Sequence, residues 1–404
     1  MATTNVPGEL LAANASKAPP QRSTWGLFQL SLFWIATNFH WAAIPLIILP
    51  SQVRVLLFQH HPAGLAGAAL ADYVKSAAPG TLALVVGPGL LTALIANPLF
   101  GYLSDRTRLG WGRRKPYIIG GTLVNIVGIG VMAFAPNIAV LIVGLVVTQL
   151  ANNAAAAPFH ALLPDLVPES QRGRASGYMG LGQMIGTILG ATLPGIVFGV
   201  NAQQVIDGAQ TVGQYNGTLV LAYGFTAAFI LALALWTVLT VQERPLSERN
   251  DMPTAAGIAL GRNMVRDVAV TLGAIGVAIA ATVGVMALLH VDLGGEIAQN
   301  VLILPAVVVG SLGVAKAFDF RPRQHSDFAW VLVTRAFVTM GIYTVLSFLQ
   351  LYLKYVTFNG VANAPKAEDA AGIFIDIVIV MAAVSTAFAG TLSDRFGRKR
   401  MVYL

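Results

Sequence analysis

The sequence predicts an all-α polytopic membrane protein built from two homologous halves, on three observations. Hydrophobic residues make up 56% of the chain and charged residues only 11%, against roughly 25% charged residues in an ordinary soluble domain. Ten apolar runs are long enough to cross a bilayer as helices, since a hydrocarbon core of ~30 Å needs about 20 residues. One charged hexapeptide also occurs twice. Gly101-Tyr102-Leu103-Ser104-Asp105-Arg106 returns as Gly390-Thr391-Leu392-Ser393-Asp394-Arg395, each copy closing an apolar run and leading into a basic cluster. A repeat this far apart signals internal duplication.

Residues 1–24 are polar and rich in Ala and Pro, which predicts a disordered cytoplasmic tail. The apolar run that begins near Leu27 is too long for a signal-peptide core, and no small-residue cleavage site follows it. The runs lie at 27–49, 81–103, 117–135, 138–162, 174–199, 217–241, 268–290, 299–318, 328–352 and 371–393. Glycine and proline interrupt many of them, which membrane helices tolerate.

Charge sets the orientation. With the N-terminus placed in the cytoplasm, the inner segments carry 20 of the 25 Lys and Arg residues. The outer segments carry Arg54, Lys75, Lys354 and Lys366, and Arg335 falls inside a run. That bias is the positive-inside pattern of a multi-pass protein of the plasma (inner) membrane. It also explains the net charge of +7 without nucleic acid, because the basic residues sit in short turns between spans. No cysteine is present, so disulfides and thiolate metal sites are excluded.

The two hexapeptides follow the second and tenth runs. If the halves are equivalent, residues 25–243 form a six-helix first half. Residues 244–327 are then cytoplasmic linkers around an extra transmembrane hairpin at 268–318, and residues 328–404 hold the first two helices of the second half. Four more helices would be expected after Arg400, for fourteen spans in all. On this reading the chain is C-terminally truncated, and its 404 residues alone should not transport.

The turn G-x-L-S-D-R with a trailing G-R-[RK] resembles the signature of the major facilitator superfamily. The longer first copy, Gly101 to Pro116, reads G-Y-L-S-D-R-T-R-L-G-W-G-R-R-K-P. It resembles the form found in the glycoside-pentoside-hexuronide:cation symporters and the sucrose-transporter-like group, as does the segment Asp165-Leu166-Val167-Pro168-Glu169-Ser170-Gln171-Arg172-Gly173. The resemblance implies the major facilitator fold, alternating access and a small-molecule solute as cargo, in a monomer with no enzymatic activity. It implies no cofactor beyond a coupling ion.

The motif chemistry fits a gate. Gly101 and Gly390 permit close helix contact. Asp105 and Asp394 are carboxylates able to meet a helix N-terminus or an arginine. Arg106, Arg113, Arg114, Arg395 and Arg398 sit at the cytoplasmic surface, as latch residues or as topology anchors. Gly182, Gly186 and Gly190 recur every four residues. They form a packing face directed either at the other half or at a neighbour in the same half.

Polar residues within spans point to a solute path. Asn38, His40 and Trp41 lie near the middle of the first run, and Gln149, Asn153 and His160 share one face of the fourth. Arg335, Thr339, Tyr343 and Ser347 recur every four residues in the ninth, with Gln350 just beyond. Arg335 and Asp376 are the charges well inside the apolar runs. At 1.5 Å per residue they sit on the order of 15 Å apart in depth, too far for a direct ion pair. His40 is a candidate proton carrier or a neutral histidine bonded to Asn38 or to a carbonyl. Trp41 offers a face for a sugar ring or for packing.

The resemblance to the glycoside–cation symporters implies acidic residues in the second and fourth spans for the coupling ion. This chain has Asn97 in the second and Gln149, Asn152 and Asn153 in the fourth. Sodium coupling there is disfavoured, and a proton through His40 or Asp376, or simple exchange, stays open. The reading is thus a secondary transporter of a small polar solute, such as a sugar or glycoside. Multidrug or metabolite efflux, or a transport-inactive sensor on the same fold, stands as the alternative.

Overall fold

The computed structural model describes residues 20–107 and 109–243, and a discontinuous set of positions between 266 and 396. The described residues fall in two compact units, one from Met1–Thr254 with Thr386–Leu404 and one from Ala255–Ser385.

In the first unit six helices are long and apolar enough to cross a membrane: α1 (Thr24–Gln59), α2 (Gly67–Arg106), α3 (Lys115–Ala133), α4 (Ile138–Leu166), α5 (Arg172–Ile196) and α6 (Val212–Thr240). Each coincides with an expected run, but α1 and α2 are much longer than their apolar stretches. At 1.5 Å per residue the 36 residues of α1 extend ~54 Å, well past the hydrocarbon core. Hydropathy marks where the bilayer ends, whereas a helix ends where its caps are. Ser23 caps α1 by accepting from the Gly26 N–H at 3.1 Å. Thr211 and Gln214 form a reciprocal capping box at the start of α6. Within α1, Ala43–Ile48 is a π-helical segment containing Pro45. Proline has no N–H to give, and the wider turn accommodates the break.

Close helix contacts are made through glycine. A Cβ at Gly121 of α3 would lie 2.7 Å from the Ala151 carbonyl of α4, and Gly128 lies against Thr148. The Gly182, Gly186 and Gly190 face packs on α1. A Cβ at Gly186 would sit 2.9 Å from the Phe39 nitrogen, and one at Gly190 2.8 Å from the Ala42 methyl. Of the two directions open to this face, the structure takes the one within the same half. Apolar side chains fill the bundle in two clusters. One, at the motif end, includes Leu27, Phe33, Ile118 and Phe159. The other, toward the opposite end, includes Phe39, Ile48, Met132 and Tyr223.

In the second unit the described positions are largely helical. Gly313 lies against the side chain of Thr271, whose hydroxyl donates to the Asp267 carbonyl at 2.6 Å. Arg335 is helical and exposed. Thr339, Tyr343, Ser347, Gln350, Asp376, Gly390, Arg398 and most of the N-terminal tail lie outside the described residues.

Candidate functional site

The first hexapeptide ends α2 and folds back on itself. Gly112, at φ +120°, turns the chain in a conformation that suits glycine, and the Glu243 carboxylate occupies the space a side chain would fill. The turn delivers Arg114 into the bundle end, where it is 4% exposed. Its guanidinium pairs with Asp105 at 3.0 Å and, through Nε, with Asp165 of α4 at 2.7 Å. Its backbone N–H donates to Glu243 Oε2 at 3.0 Å, and a longer bond of 3.4 Å reaches the buried Ser104 hydroxyl. Arg113 also pairs with Asp165 and lies 3.9 Å from Asp105. Arg106 stacks its guanidinium 3.5 Å over the Tyr102 ring, a cation–π contact. Gly101 was expected to admit a close helix, yet a Cβ there would meet nothing within 4 Å among the described residues. Its carbonyl instead accepts from the Ser104 hydroxyl at 2.9 Å.

The second hexapeptide does something else. Asp394 is almost buried, at 8% side-chain exposure. Its two carboxylate oxygens accept from the backbone N–H groups of Gly173 at 2.7 Å and Arg174 at 2.8 Å. These are orphan donors of the first turn of α5, where a carboxylate is stabilised by unsatisfied N–H groups and by the helix dipole. Arg174 Nε lies 3.9 Å away. Arg395 faces the Phe396 ring at 5.8 Å.

The structure separates the polar residues expected to line a path. Asn38 and Trp41, three residues apart, lie ~60° apart on α1, whereas His40 lies on another face. Asn38 donates to the Trp34 carbonyl at 2.8 Å and lies under α5, with its Cβ 3.0 Å from where a Gly186 Cβ would be. His40 is fully buried on the side of α1 turned away from α5. It is directed at Asn125 of α3, although neither ring nitrogen completes a hydrogen bond among the described residues. Asn125 and Asn152 are buried and likewise lack hydrogen-bond partners among the described residues. Trp41 is half-buried and edge-on to His40, 5.0 Å between ring centres. Gln149 and Asn153 do stay together. Asn153 Nδ2 donates to the Gln149 carbonyl at 2.8 Å, and Gln149 packs on Gly89 of α2. His160 is exposed and edge-on to Trp34 at 4.5 Å.

Sequence reasoning missed several participants. Gln52 donates to the Met132 carbonyl and accepts from the Tyr223 hydroxyl, both at 2.7 Å, beside a cavity of about 890 Å³ at the end away from the motifs. Glu243 carried no signal beyond a lone acid after α6. Asp165 was noted in its motif, but its pairing with Arg113 and Arg114 was not.

The comparisons with known proteins bear on the fold and the family. Residues 24–404 match the profile of the Major Facilitator Superfamily. The solved structure of a proton:xylose symporter, XylE, superposes with a TM-score of 0.53 at 15% identity, covering 96% of this chain and 71% of that one. The sucrose transport protein SUC4 of Arabidopsis thaliana is 30% identical over 120 residues, 25% of this chain and 24% of that protein. Human solute carrier family 45 member 4 is 30% identical over 184 residues, 40% of this chain and 22% of that protein. The matches span between 21% and 36% of the length of these curated relatives. The all-helical fold, the six apolar spans and the match along nearly the whole sequence make this chain a multi-pass membrane protein of the Major Facilitator Superfamily, a family of transporters rather than enzymes.

Proposed function

We propose that the protein is a secondary transporter that moves a sugar or glycoside across the plasma (inner) membrane by alternating access, as a monomer with its N-terminus in the cytoplasm. The observation that carries the alternating-access reading is the Asp394 carboxylate seated on the N-terminus of α5. A charge held by two backbone donors and lost by a small shift makes a two-state contact of the kind a rocking gate needs. Asp105, Arg113 and Arg114 form the fixed side of that gate. Distant similarity to sucrose transport proteins supports a sugar as the solute. Gln149, Asn153 and Trp41 on α1 and α4 then supply amide and ring contacts to it, with Arg335, Thr339 and Tyr343 from the ninth run.

The coupling ion on this reading is a proton, carried by His40 or Asp376. Uptake of a labelled sugar panel into proteoliposomes of the full-length protein, with and without an imposed pH gradient, tests the proposal. Gradient-stimulated uptake of one sugar, lost in His40→Gln or in Asp376→Asn, is the expected result. Counterflow of no sugar would overturn the cargo, and uptake indifferent to the gradient would overturn the coupling.

A further inference from the structure

The turn between α4 and α5 is held from two sides. On one side Asp394 takes the amides of Gly173 and Arg174. On the other, the residue just ahead of α1 pairs with the same turn. The Arg22 backbone N–H donates to Gln171 Oε1 at 2.8 Å, and Gln171 Nε2 donates back to the Arg22 carbonyl at 3.0 Å. Arg22 Nε adds a bond to the Leu166 carbonyl at 3.1 Å. Gln171 is 6% exposed and Arg22 is half-buried, so this two-bond clasp is partly shielded from water.

Gln171 also stands at the N-cap of α5 and makes no capping hydrogen bond. Ser, Thr, Asp or Asn at that position would fold its side chain onto the amides two and three residues on. Those amides belong to Gly173 and Arg174. The glutamine side chain is instead committed to Arg22, and the helix end stays open to an acceptor from elsewhere in the chain. Asp394 is that acceptor.

We propose that Gln171, clamped by Arg22, is a positioning residue for the gate: it ties the start of α5 to the start of α1 and keeps the α5 amides uncapped for Asp394. The inference rests on the gate reading above and adds a regulatory input to it. Whatever moves the segment leading into α1 moves the seat of Asp394.

The absence of cysteine makes the test direct. Nitroxides at Trp111→Cys and Phe396→Cys, both exposed, report the separation of the two motif turns by pulsed electron–electron resonance in proteoliposomes. Gln171→Ser breaks the clasp and supplies its own cap, so the helix end is kept and the seat is filled. Gln171→Leu breaks the clasp alone. Asp394→Asn should enlarge the long-distance population about fivefold, from the loss of a carboxylate at a helix N-terminus. Gln171→Ser should match it with an unchanged or higher melting temperature, and combining the two should add nothing. If Asp394→Asn shifts the distances while both Gln171 variants keep the parental distribution, the positioning role is wrong and the gate stands. If Asp394→Asn itself leaves the distances unchanged, the gate reading falls and this inference falls with it.

Discussion

The two copies of the hexapeptide share Gly, Leu, Ser, Asp and Arg at the same spacing and do different work. In the first, Asp105 is 56% exposed and paired with arginines only a few residues further along, in a cluster completed by Asp165 and Glu243. In the second, the Asp394 side chain is 8% exposed and caps a helix 220 residues away. The carboxylate's partner sets the difference. A guanidinium fixed by a second acid makes a static brace, whereas two backbone amides make a seat that can be vacated whole. The same short sequence is thus a structural fastening at one site and a candidate moving contact at the other.

The experiments that break or sharpen this contrast run from large effects to small. Arg114→Ala should be the most damaging. It removes an almost fully buried guanidinium and leaves Asp165, itself 21% exposed, with Arg113 alone, so the loss should approach the lower end of the ~3–5 kcal/mol that breaking a buried pair costs. A melting temperature close to the parent would show that the first copy is no brace. Gly186→Ala comes next, as damage that touches neither copy. Its methyl would press on the α1 backbone, and overpacking costs ~1–3 kcal/mol. It should lower the melting temperature and leave the motif-turn separation alone. Asp394→Asn should lose up to ~2 kcal/mol of helix-end stabilisation, visible mainly as a change in gate population. Asp105→Asn should be smallest, at most ~1 kcal/mol for an exposed ion pair, since Asp165 still holds both arginines. An Asp105→Asn effect on gating larger than that of Asp394→Asn would invert the comparison.

The sequence made the architecture legible, because six apolar runs became six helices. It could not show where α1 and α2 end, since both run on past their apolar stretches, and α2 begins at Gly67 with no side-chain cap at all. The i, i+4 relation of Gln149 and Asn153 was readable and is present. Asn38, His40 and Trp41 were grouped by depth in one span, and helical spacing leaves Asn38 and Trp41 on one face and turns His40 to another. Asp394 was readable as a carboxylate suited to a helix N-terminus. That the helix is α5 was not, and neither were Gln171, Arg22 and Glu243. Each is a single polar residue at the end of an element, whose meaning depends on what the fold brings beside it.

Hydrogen exchange at the first turn of α5 tests the central claim most directly. The Gly173 and Arg174 amides should be protected in the parent, exchange at least several-fold faster in Asp394→Asn, and keep parental rates in Asp105→Asn. Parental protection in Asp394→Asn, or equal loss in both variants, would contradict it.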